Sequence, residues 1–472
     1  MKIGLIGAGR LGICLALLIE RAGYEVLVSD IRPDYVDALN KKKIVTEEPD
    51  VQWLLKQTER FEATWDNQRV IDECDFIICL VATPSLNDGS YDISSVWNVV
   101  EDFKKSEAKL NGKTLVIGCT TNPGDCEKFS EELAYFGVGV VYNPEFIAQG
   151  TIVRDLQNAD MVLIGGADDD TYAFMQNLYG KIQARPPRWG RMSTTAAELV
   201  KIAVNCFVTT KISYANMIGQ VLAQSNLYDE IETVLSSIGS DSRIGHKYMN
   251  FGFGFGGPCF PRDNRAFASY AQKVGVEHNI GTTTDNFNKA HLLFLKDYFI
   301  NDNSDDLPFW FDYIAYKPGT DILTESQQYQ LCLELLDLGY KVYVSNGILM
   351  TTKVGNQLEL FIYQNELLGE GSFSKVYLAK WRETLVVAKV IDENICREKT
   401  RRLERLVLDQ KKEKELDGTK KVGKQETMYT LLECHVNLDL EGFEEVGSNN
   451  EPTGVKLPYI VTVEEGSRLV LS

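Results

Sequence analysis

The opening segment of the chain permits few folds, because a glycine-rich turn joins two apolar runs in close succession. Residues 2–6 form a short apolar run, GAGRLG follows at 7–12, an apolar stretch of helical period occupies 13–19, and a second β-type run ends at Asp30. A strand, a glycine turn, a helix and a strand in this order are typical of one βαβ unit. We therefore expect an α/β fold built on a parallel sheet.

The same alternation of strand and helix continues to about residue 188. Strand-like segments lie at 76–81, 114–118, 137–142 and 161–164, and a helical stretch lies at 96–106. Strands that alternate with helices indicate a doubly wound parallel sheet, and we assign a Rossmann domain to residues 1–188.

A long helix is expected next. Residues 195–224 contain no proline and a single glycine, Gly219, while apolar residues recur at helical spacing. This pattern predicts one long buried helix in a central helical domain at 189–299.

The C-terminal part changes in composition. A strand at 309–316 opens a further βαβ unit, which we interpret as a truncated second α/β domain at 300–347. A β-rich extension follows, with hairpin-like segments at 348–400 and a charged linker and short strands at 401–472.

The glycine turn has the form of a dinucleotide site. Gly7 permits the tight turn, Gly9 lets the backbone approach a pyrophosphate, and Gly12 lets the helix pack on the strand. The helix N-terminus adds partial positive charge for the phosphates. Asp30 would accept hydrogen bonds from ribose hydroxyls and repel a 2′-phosphate, which favours NAD over NADP, although Arg32 weakens this preference. A glycine turn that binds nothing is the alternative.

Charge and cysteine usage exclude several classes of protein. The 472 residues carry 49 basic and 67 acidic side chains, and a net charge of −18 repels nucleic acid and anionic lipid. Ten cysteines lie singly, without a CxxC pair for a metal, which suits a reducing compartment. We expect a cytoplasmic protein with no metal site and no nucleic-acid or membrane partner.

Two segments of the central domain supply a candidate catalytic group. Cys259 lies in GGPCFPRD, a glycine-rich loop in which a side chain can face a ligand. Lys201 and Asn205 are four residues apart on the long helix and project from one face. A buried Lys201 would lower the pKa of a thiol or stabilise an oxyanion. A cysteine that fills the core and a lysine that reaches solvent are the alternatives.

Five segments in order resemble the UDP-glucose/GDP-mannose dehydrogenase family: GAGRLG, VATP at 81–84, YNPEFIAQG at 142–150, AELVKIAVN at 197–205 and GFGFGGPCFPRD at 252–263. The resemblance covers about residues 1–346. It implies an NAD-dependent, two-step oxidation of the C6 alcohol of a sugar nucleotide to a carboxylate, without release of the aldehyde. UDP-glucose is the expected substrate, and GDP-mannose and UDP-N-acetylmannosamine stay open.

The resemblance also implies roles for single residues. Cys259 would attack the aldehyde carbon, and the thiohemiacetal would be oxidised to a thioester that water hydrolyses. The other catalytic roles implied are oxyanion contacts from Lys201 and Asn205, a base or water-positioning carboxylate at Asp263, a hydrolytic carboxylate at Glu145 and a water-binding hydroxyl at Thr120.

Binding roles are implied in the same way. The NAD contacts are Gly7, Gly9, Arg10, Leu11, Gly12, Asp30, Thr83 and Thr120. The substrate contacts are Phe253, Gly256 and Gly257 in the glycine-rich loop, Lys317 at the pyrophosphate, and Arg243, which would reach the hexose of a neighbouring subunit. The long helix would then form the core of a homodimer.

Five positions depart from the family's pattern. Gln149 replaces a second Glu, Arg262 replaces a Lys, and Asn122 replaces a Pro in a turn. Thr324 replaces an Arg and Ile322 replaces a second Asp, and these two changes affect the nucleotide-diphosphate end of the site.

The resemblance ends near residue 346. LLGEGSFSKVYLAKW and VVAKVI resemble the first strands of a protein-kinase N-lobe, with Gly369 and Gly371 at the phosphate turn, Ser374 in place of the third glycine, and Lys389 as the phosphate-pairing lysine. No HRD or DFG element follows in the sequence, so no kinase activity is expected. Residues 428–472 faintly resemble a segment of podovirus portal proteins.

Three partial resemblances in series suggest a chimera, and divergence of the third domain is the alternative. Three functions follow as hypotheses. The first is an active sugar-nucleotide dehydrogenase. The second is a catalytically dead NAD-binding chimera whose third domain is too incomplete to bind a sugar nucleotide. The third is a kinase-like, phosphate-binding module with a structural role.

Overall fold

The chain divides into two units. The computed structural model describes residues 1–344, apart from 47, 304–306, 319 and 321, and beyond them the backbone of short strands. The first unit comprises Met1–Ser304 and Ile314–Leu331, and the second comprises Asp305–Tyr313 and Cys332–Ser472. Every residue to which a catalytic, NAD or substrate role is assigned lies in the first unit.

An eight-stranded sheet forms the N-terminal part of the first unit. Its strands are β1 Lys2–Ile6, β2 Glu25–Ser29, β3 Phe61–Thr64, β4 Phe76–Cys79, β5 Thr114–Ile117, β6 Gly139–Tyr142, β7 Met161–Gly165 and β8 Arg188–Met192. Their order is β3-β2-β1-β4-β5-β6-β7-β8, and neighbours are parallel except β6 and β7. The expected α/β sheet is confirmed, although it is mostly rather than wholly parallel.

The two edge strands, β3 and β8, have no clear signal in the sequence. An edge strand faces solvent along one side, so it needs fewer apolar residues than a central strand. β3 reads FEAT and β8 reads RWGRM, with charged residues in both. β8 also runs to Met192, past the boundary expected at residue 188.

Helices cover both faces of this sheet. They are α1 Arg10–Arg21, α2 Pro33–Asn40, α3 Val51–Gln57, α4 Asn67–Glu73, α5 Ser94–Lys105, α6 Asp125–Ala134, α7 Ile152–Gln157 and α8 Asp169–Ile182. Because successive strand residues point to opposite faces, two buried clusters result. One joins Leu5 to Ile19 of α1, and the other joins Ile77 to Phe103 of α5.

A helical part follows in the same unit. Its long helix, α9 Thr194–Gln224, begins where the Ser193 hydroxyl accepts the Ala196 N–H at 3.3 Å. A 3₁₀ turn at Tyr228–Glu230, α10 Ile231–Gly239, α11 Phe260–Lys273 and α12 Ile280–Asp302 complete it. α11 and α12 pack against α9. The long helix is therefore confirmed within one residue of the expected 195–224.

The second unit contains a small sheet. Strands β9 Phe309–Phe311 and β10 Val342–Val344 are parallel neighbours, with α13 Gln327–Asp337 between them in sequence, and β11 Met350–Thr351 pairs antiparallel with β10. β9 is shorter than the expected strand at 309–316, because the chain from Ile314 onward belongs to the first unit.

Short strands continue to the end of the chain: β12 Leu367–Glu370, β13 Ser374–Trp381, β14 Thr384–Ile391, β15 Glu445–Val446, β16 Pro452–Thr453, β17 Ile460–Thr462 and β18 Val470–Leu471. β12, β13 and β14 pair antiparallel in sequence order. Gly371 of the kinase-like turn, the charged linker and most of the portal-like segment lie outside the described residues. Among the described residues, no helix combines the length and apolar character that a membrane crossing requires.

Candidate active site

Each glycine of the turn after β1 has a different structural role. Gly7 has a φ of +102°, and a Cβ on it would lie 2.6 Å from the Leu80 carbonyl oxygen. A Cβ on Gly12 would lie 2.1 Å from the Gly7 carbonyl oxygen, so only glycine lets α1 start this close to β1. A Cβ on Gly9 would meet no described atom within 4 Å. The open space over Gly9, at the N-terminus of α1, fits a pyrophosphate.

Asp30, just after β2, has a carboxylate that is already hydrogen-bonded. Its Oδ2 accepts the Ala8 N–H at 3.2 Å, and the Arg32 guanidinium donates to both oxygens at 2.8 and 2.9 Å. Burial raises the pKa of Asp30, but the hydrogen bonds from Arg32 outweigh burial and hold the pKa below its ordinary value. An ionised carboxylate at this place fits the ribose hydroxyls of NAD. Arg32 offsets part of the charge that would repel a 2′-phosphate.

The other residues assigned to the cofactor lie at the same edge of the sheet. Arg10 and Leu11 open α1, and Arg10 donates to Gln149 Oε1 at 3.0 Å. Thr83 is buried and Thr120 is half-buried, and they follow β4 and β5. Since the carboxyl ends of parallel strands meet at one edge, these residues lie on the side of the sheet where α/β proteins bind dinucleotides.

Cys259 differs from the other cysteines of the described residues, because its side chain is exposed and theirs are buried. It is the N-cap residue of α11. Surrounding atoms still desolvate the sulfur, and this burial together with the charge of Asp263 raises the pKa of the Cys259 thiol. The cations Lys201, Arg262 and Lys317 lower the same pKa. A core-filling cysteine is therefore excluded, and the sulfur lies within the field of three cations.

Asp263 lies one turn after Cys259, and its carboxylate is fixed from two sides. Asn205 on α9 donates its Nδ2–H to Oδ2 at 2.5 Å, and the buried Tyr91 hydroxyl donates to Oδ1. Burial and the Asp263 charge raise the pKa of Tyr91 well above its ordinary value. Arg262 lies 5.0 Å from the centroid of the Tyr91 ring. Tyr91 was missed in the sequence, because it lies outside the five motifs.

Lys201 is buried, with 8% of its surface exposed, so the alternative of a lysine that reaches solvent is wrong. Its ammonium donates to the backbone carbonyl of Glu145 at 2.9 Å and lies 4.8 Å from the centroid of the Phe146 ring. The lysine of α9 is thus held by the NPEF segment, and its charge lowers the pKa of the Cys259 thiol.

Glu145 lies in a largely desolvated position. The Tyr179 hydroxyl is 2.5 Å from Glu145 Oε1 and 2.5 Å from Asn143 Oδ1. Burial raises the pKa of Glu145 to about 6, while the Tyr179 hydrogen bond and the Lys201 charge oppose that rise. A carboxyl with a pKa near the working pH suits proton transfer.

Glu198 of α9 is a buried carboxylate that the sequence analysis did not single out. Its Oε1 accepts the Thr121 hydroxyl at 2.7 Å and the Cys126 N–H at 3.0 Å, and its Oε2 accepts the Gly124 N–H at 2.7 Å. Glu198 therefore holds the N-terminus of α6 against α9. Its position three residues before Lys201, on an otherwise apolar helix, is the signal by which it could have been found.

The glycine-rich loop before Cys259 packs on the segment Ile314–Leu331. A Cβ on Gly256 would lie 2.4 Å from the Glu325 carbonyl oxygen, and a Cβ on Gly257 would lie 2.6 Å from the Tyr316 ring. Lys317, the next residue, is half-buried with its ammonium 5.8 Å from the centroid of that ring. Glycine at these two positions thus brings the loop against Tyr316 and Lys317.

The other two residues assigned to the substrate are Arg243 and Phe253. Arg243 is exposed and pairs with Asp241 at 2.6 Å, and Phe253 is half-buried in the loop. At one departure from the family pattern, Thr324 uses its backbone carbonyl to accept the Gly257 N–H at 2.9 Å, a contact that any residue could make. Within the described part of the chain, no group of His, Cys, Asp or Glu is arranged to hold a metal.

Two family models match the chain. The NAD binding domain of the UDP-glucose/GDP-mannose dehydrogenase family matches residues 1–183, and the central domain of the same family matches residues 195–290.

Curated relatives extend the match toward the C-terminus. UDP-glucose 6-dehydrogenase of Pseudomonas aeruginosa is 30% identical over 359 residues, which are 72% of this chain and 78% of that protein. GDP-mannose 6-dehydrogenase of the same organism is 28% identical over 360 residues, which are 73% of this chain and 80% of that protein.

A solved structure, that of a UDP-glucose dehydrogenase from Pyrobaculum islandicum, is similar with a TM-score of 0.65 and 26% identity, and covers 73% of this chain and 81% of that one. The glycine turn fits a dinucleotide, the two domain models are matched in order, and the relatives are similar over most of their length. The chain therefore belongs to the UDP-glucose/GDP-mannose dehydrogenase family of NAD-dependent sugar nucleotide dehydrogenases.

Proposed function

We propose that this chain oxidises the C6 alcohol of UDP-glucose to the carboxylate in two steps. The observation that carries the proposal is the grouping of one exposed sulfur, Cys259, with the ammonium of Lys201 and the fixed carboxylate of Asp263. UDP-glucose is proposed over GDP-mannose because it is the more frequent substrate among the family members named here.

The first oxidation uses the cofactor and one base. The glycine turn and Asp30 would hold NAD, which would supply a hydride acceptor for each of the two oxidations at C6. Asp263, fixed by Tyr91 and Asn205, accepts the proton of the C6 hydroxyl directly or through a water. The product of this step is the aldehyde, which stays bound.

Cys259 then makes the second oxidation possible. Its thiol adds across the aldehyde, with sulfur bonding to carbon and the proton passing to oxygen, because a bare aldehyde has no hydride that leaves easily. Lys201 and Asn205 hold the developing oxyanion, since fixed N–H donors in a dry site stabilise such charge strongly. Loss of a hydride from C6, together with loss of the hydroxyl proton to bulk water, converts this thiohemiacetal into a thioester.

Hydrolysis releases the product. Water adds to the thioester carbon, its proton passes to Glu145, and the carbon–sulfur bond breaks to return Cys259 as a thiolate. Thr120 would position this water. Lys317 would contact the pyrophosphate of the substrate, next to the loop of Phe253, Gly256 and Gly257.

A homodimer is part of the proposal. α9 carries exposed apolar side chains, with Phe207 67% and Val221 57% exposed, and a second copy of the chain would cover them. Arg243, which pairs only with its near neighbour Asp241 in the part of the chain described, would then reach the hexose bound by the other subunit.

The proposal is tested by counting NADH for each sugar consumed, with UDP-glucose, GDP-mannose and UDP-N-acetylmannosamine offered separately. We expect two NADH for each UDP-glucose. Cys259→Ala should abolish this turnover and leave NADH binding, measured by fluorescence, unchanged. Cys74→Ala is the matched control. This buried cysteine precedes β4, at the amino ends of the strands, whereas the residues assigned to the cofactor lie at their carboxyl ends.

Two results would contradict the proposal. A different sugar nucleotide giving the two NADH would replace UDP-glucose as the substrate. No turnover with any of the three, together with normal NADH binding, would instead identify the catalytically dead NAD-binding protein.

The chimeric origin of residues 348–472 and their kinase-like and portal-like resemblances stay predictions.

A further inference from the structure

One hydroxyl group contacts both the carboxyl of Glu145 and the amide of Asn143. It belongs to Tyr179 of α8, a buried residue outside the motifs that indicated the site. Its oxygen lies 2.5 Å from Glu145 Oε1 and 2.5 Å from Asn143 Oδ1. Both distances lie within the range of O–H···O hydrogen bonds.

The Asn143 amide cannot serve as the donor in this group. Its Nδ2–H donates to the Leu163 carbonyl at 2.8 Å, which directs Oδ1 to Tyr179 as an acceptor. A phenol has one hydrogen to donate, so Tyr179 alone can satisfy Asn143 or an ionised Glu145, but not both. When Glu145 carries a proton, it donates to the Tyr179 oxygen while Tyr179 donates to Asn143. Both contacts are then satisfied.

We propose that Tyr179 is a positioning residue for thioester hydrolysis, whose hydroxyl holds the Glu145 carboxyl in both protonation states. Its single hydrogen turns toward Asn143 when Glu145 is protonated and toward Glu145 when that carboxyl is ionised. The carboxyl that takes the proton of the attacking water thus keeps its place before and after the transfer. This inference rests on the proposed hydrolytic role of Glu145.

The groups around Glu145 determine the direction in which its pKa should change when the Tyr179 hydroxyl is removed. Burial raises the pKa of Glu145, and the two groups that oppose the rise are the Tyr179 hydroxyl from α8 and the Lys201 ammonium from α9. Among the described residues these are the titratable groups that act on it. Removal of the hydroxyl takes an acceptor from the protonated carboxyl and a donor from the ionised carboxylate. The hydrogen bond to the charged form is the stronger of the two, so the pKa of Glu145 should rise further.

Tyr179→Phe is the test variant, and Tyr142→Phe is its matched control. Tyr142 is also a buried tyrosine, and its hydroxyl has no hydrogen-bond partner among the described residues. The first measurement is the pH dependence of steady-state NADH formation with UDP-glucose. The second is infrared detection of the protonated Glu145 carboxyl across a pH titration without substrate, assigned by its loss in Glu145→Gln.

We expect the acidic limb of the rate profile and the infrared titration both to move up by about one pH unit in Tyr179→Phe, since a hydrogen bond to a charged group is worth about that much. Tyr142→Phe should titrate like the wild type. A Tyr179→Phe infrared titration that coincides with the wild type overturns the inference, as does a rate lowered equally at every pH. Absence of turnover in the wild type refutes the proposed function. The infrared titration, which needs no substrate, still shows whether the Tyr179 hydroxyl acts on the Glu145 carboxyl.

Discussion

Replacing Gly12 or Gly9 of the same turn with alanine should affect different properties. Gly12→Ala should lower the stability of the fold, and Gly9→Ala should weaken cofactor binding. A Cβ on Gly12 would lie 2.1 Å from the Gly7 carbonyl oxygen, closer than the 3.0 Å below which real Cβ contacts are essentially never found. A Cβ on Gly9 would meet no described atom within 4 Å, and Gly9 has a φ of −62°, which alanine adopts easily. Gly12→Ala therefore perturbs packing, whereas Gly9→Ala fills only the open space.

The two costs follow from this geometry. Overpacking costs about 1–3 kcal/mol, and alanine in a helix recovers about 1 kcal/mol relative to glycine. Because the Gly12 clash is with backbone, the upper end applies, and we expect a net loss of about 2 kcal/mol. For Gly9→Ala, a weaker N-cap costs a few tenths of a kcal/mol and the reduced entropy of the unfolded chain offsets it, so stability should hardly change.

The assay is thermal unfolding of the cofactor-free protein combined with a fluorescence titration of NADH. Gly12→Ala should lower the apparent melting temperature by roughly 5 °C. Gly9→Ala should melt with the wild type and bind NADH more weakly, because its methyl group occupies the expected pyrophosphate position. Wild-type melting of Gly12→Ala would refute the packing argument, and wild-type NADH affinity in Gly9→Ala would refute the placement of the pyrophosphate.

Two further predictions concern buried carboxyls. Glu198→Ala leaves the Gly124 and Cys126 N–H groups without their acceptor and should lower the free energy of unfolding in urea by about 3 kcal/mol, whereas Thr121→Val should cost only about 1 kcal/mol. The folded-state pKa of Glu145, about 6, exceeds its ordinary 4.5, so its stabilising contribution is complete below pH 4.5 and is lost as the pH rises through 6. Relative to Glu145→Gln, the wild type should therefore lose about 2 kcal/mol of unfolding free energy between pH 4.5 and 7.5, and equal losses in both proteins would contradict the raised pKa.

Local patterns predicted much of the fold. The glycine turn, the central strands and α9 have strong signals, because buried parallel strands and a long buried helix must be apolar in a period that the chain itself displays. The edge strands β3 and β8 have weak signals, because solvent on one side relaxes that requirement. The antiparallel pairing of β6 with β7, in an otherwise parallel sheet, has no local signal either, because it depends on the path of the chain between the two strands.

The grouping around Cys259 was only partly predictable. Spacing on one helix indicated Lys201 and Asn205, and the glycine-rich loop indicated Cys259. Asp263 was expected only from the family resemblance. Tyr91 was not predictable, because its contact with Asp263 joins positions 172 residues apart.

The sequence by itself determined where strands, turns and the long helix form, and which residue types are available for chemistry, because these depend on neighbours along the chain. Only the tertiary structure decided that Lys201 is buried against the Glu145 carbonyl, that Cys259 is exposed, and that one tyrosine hydroxyl is shared by Glu145 and Asn143. Burial, charge and hydrogen bonding at a site are set by the elements that pack around it, and those elements come from distant parts of the chain.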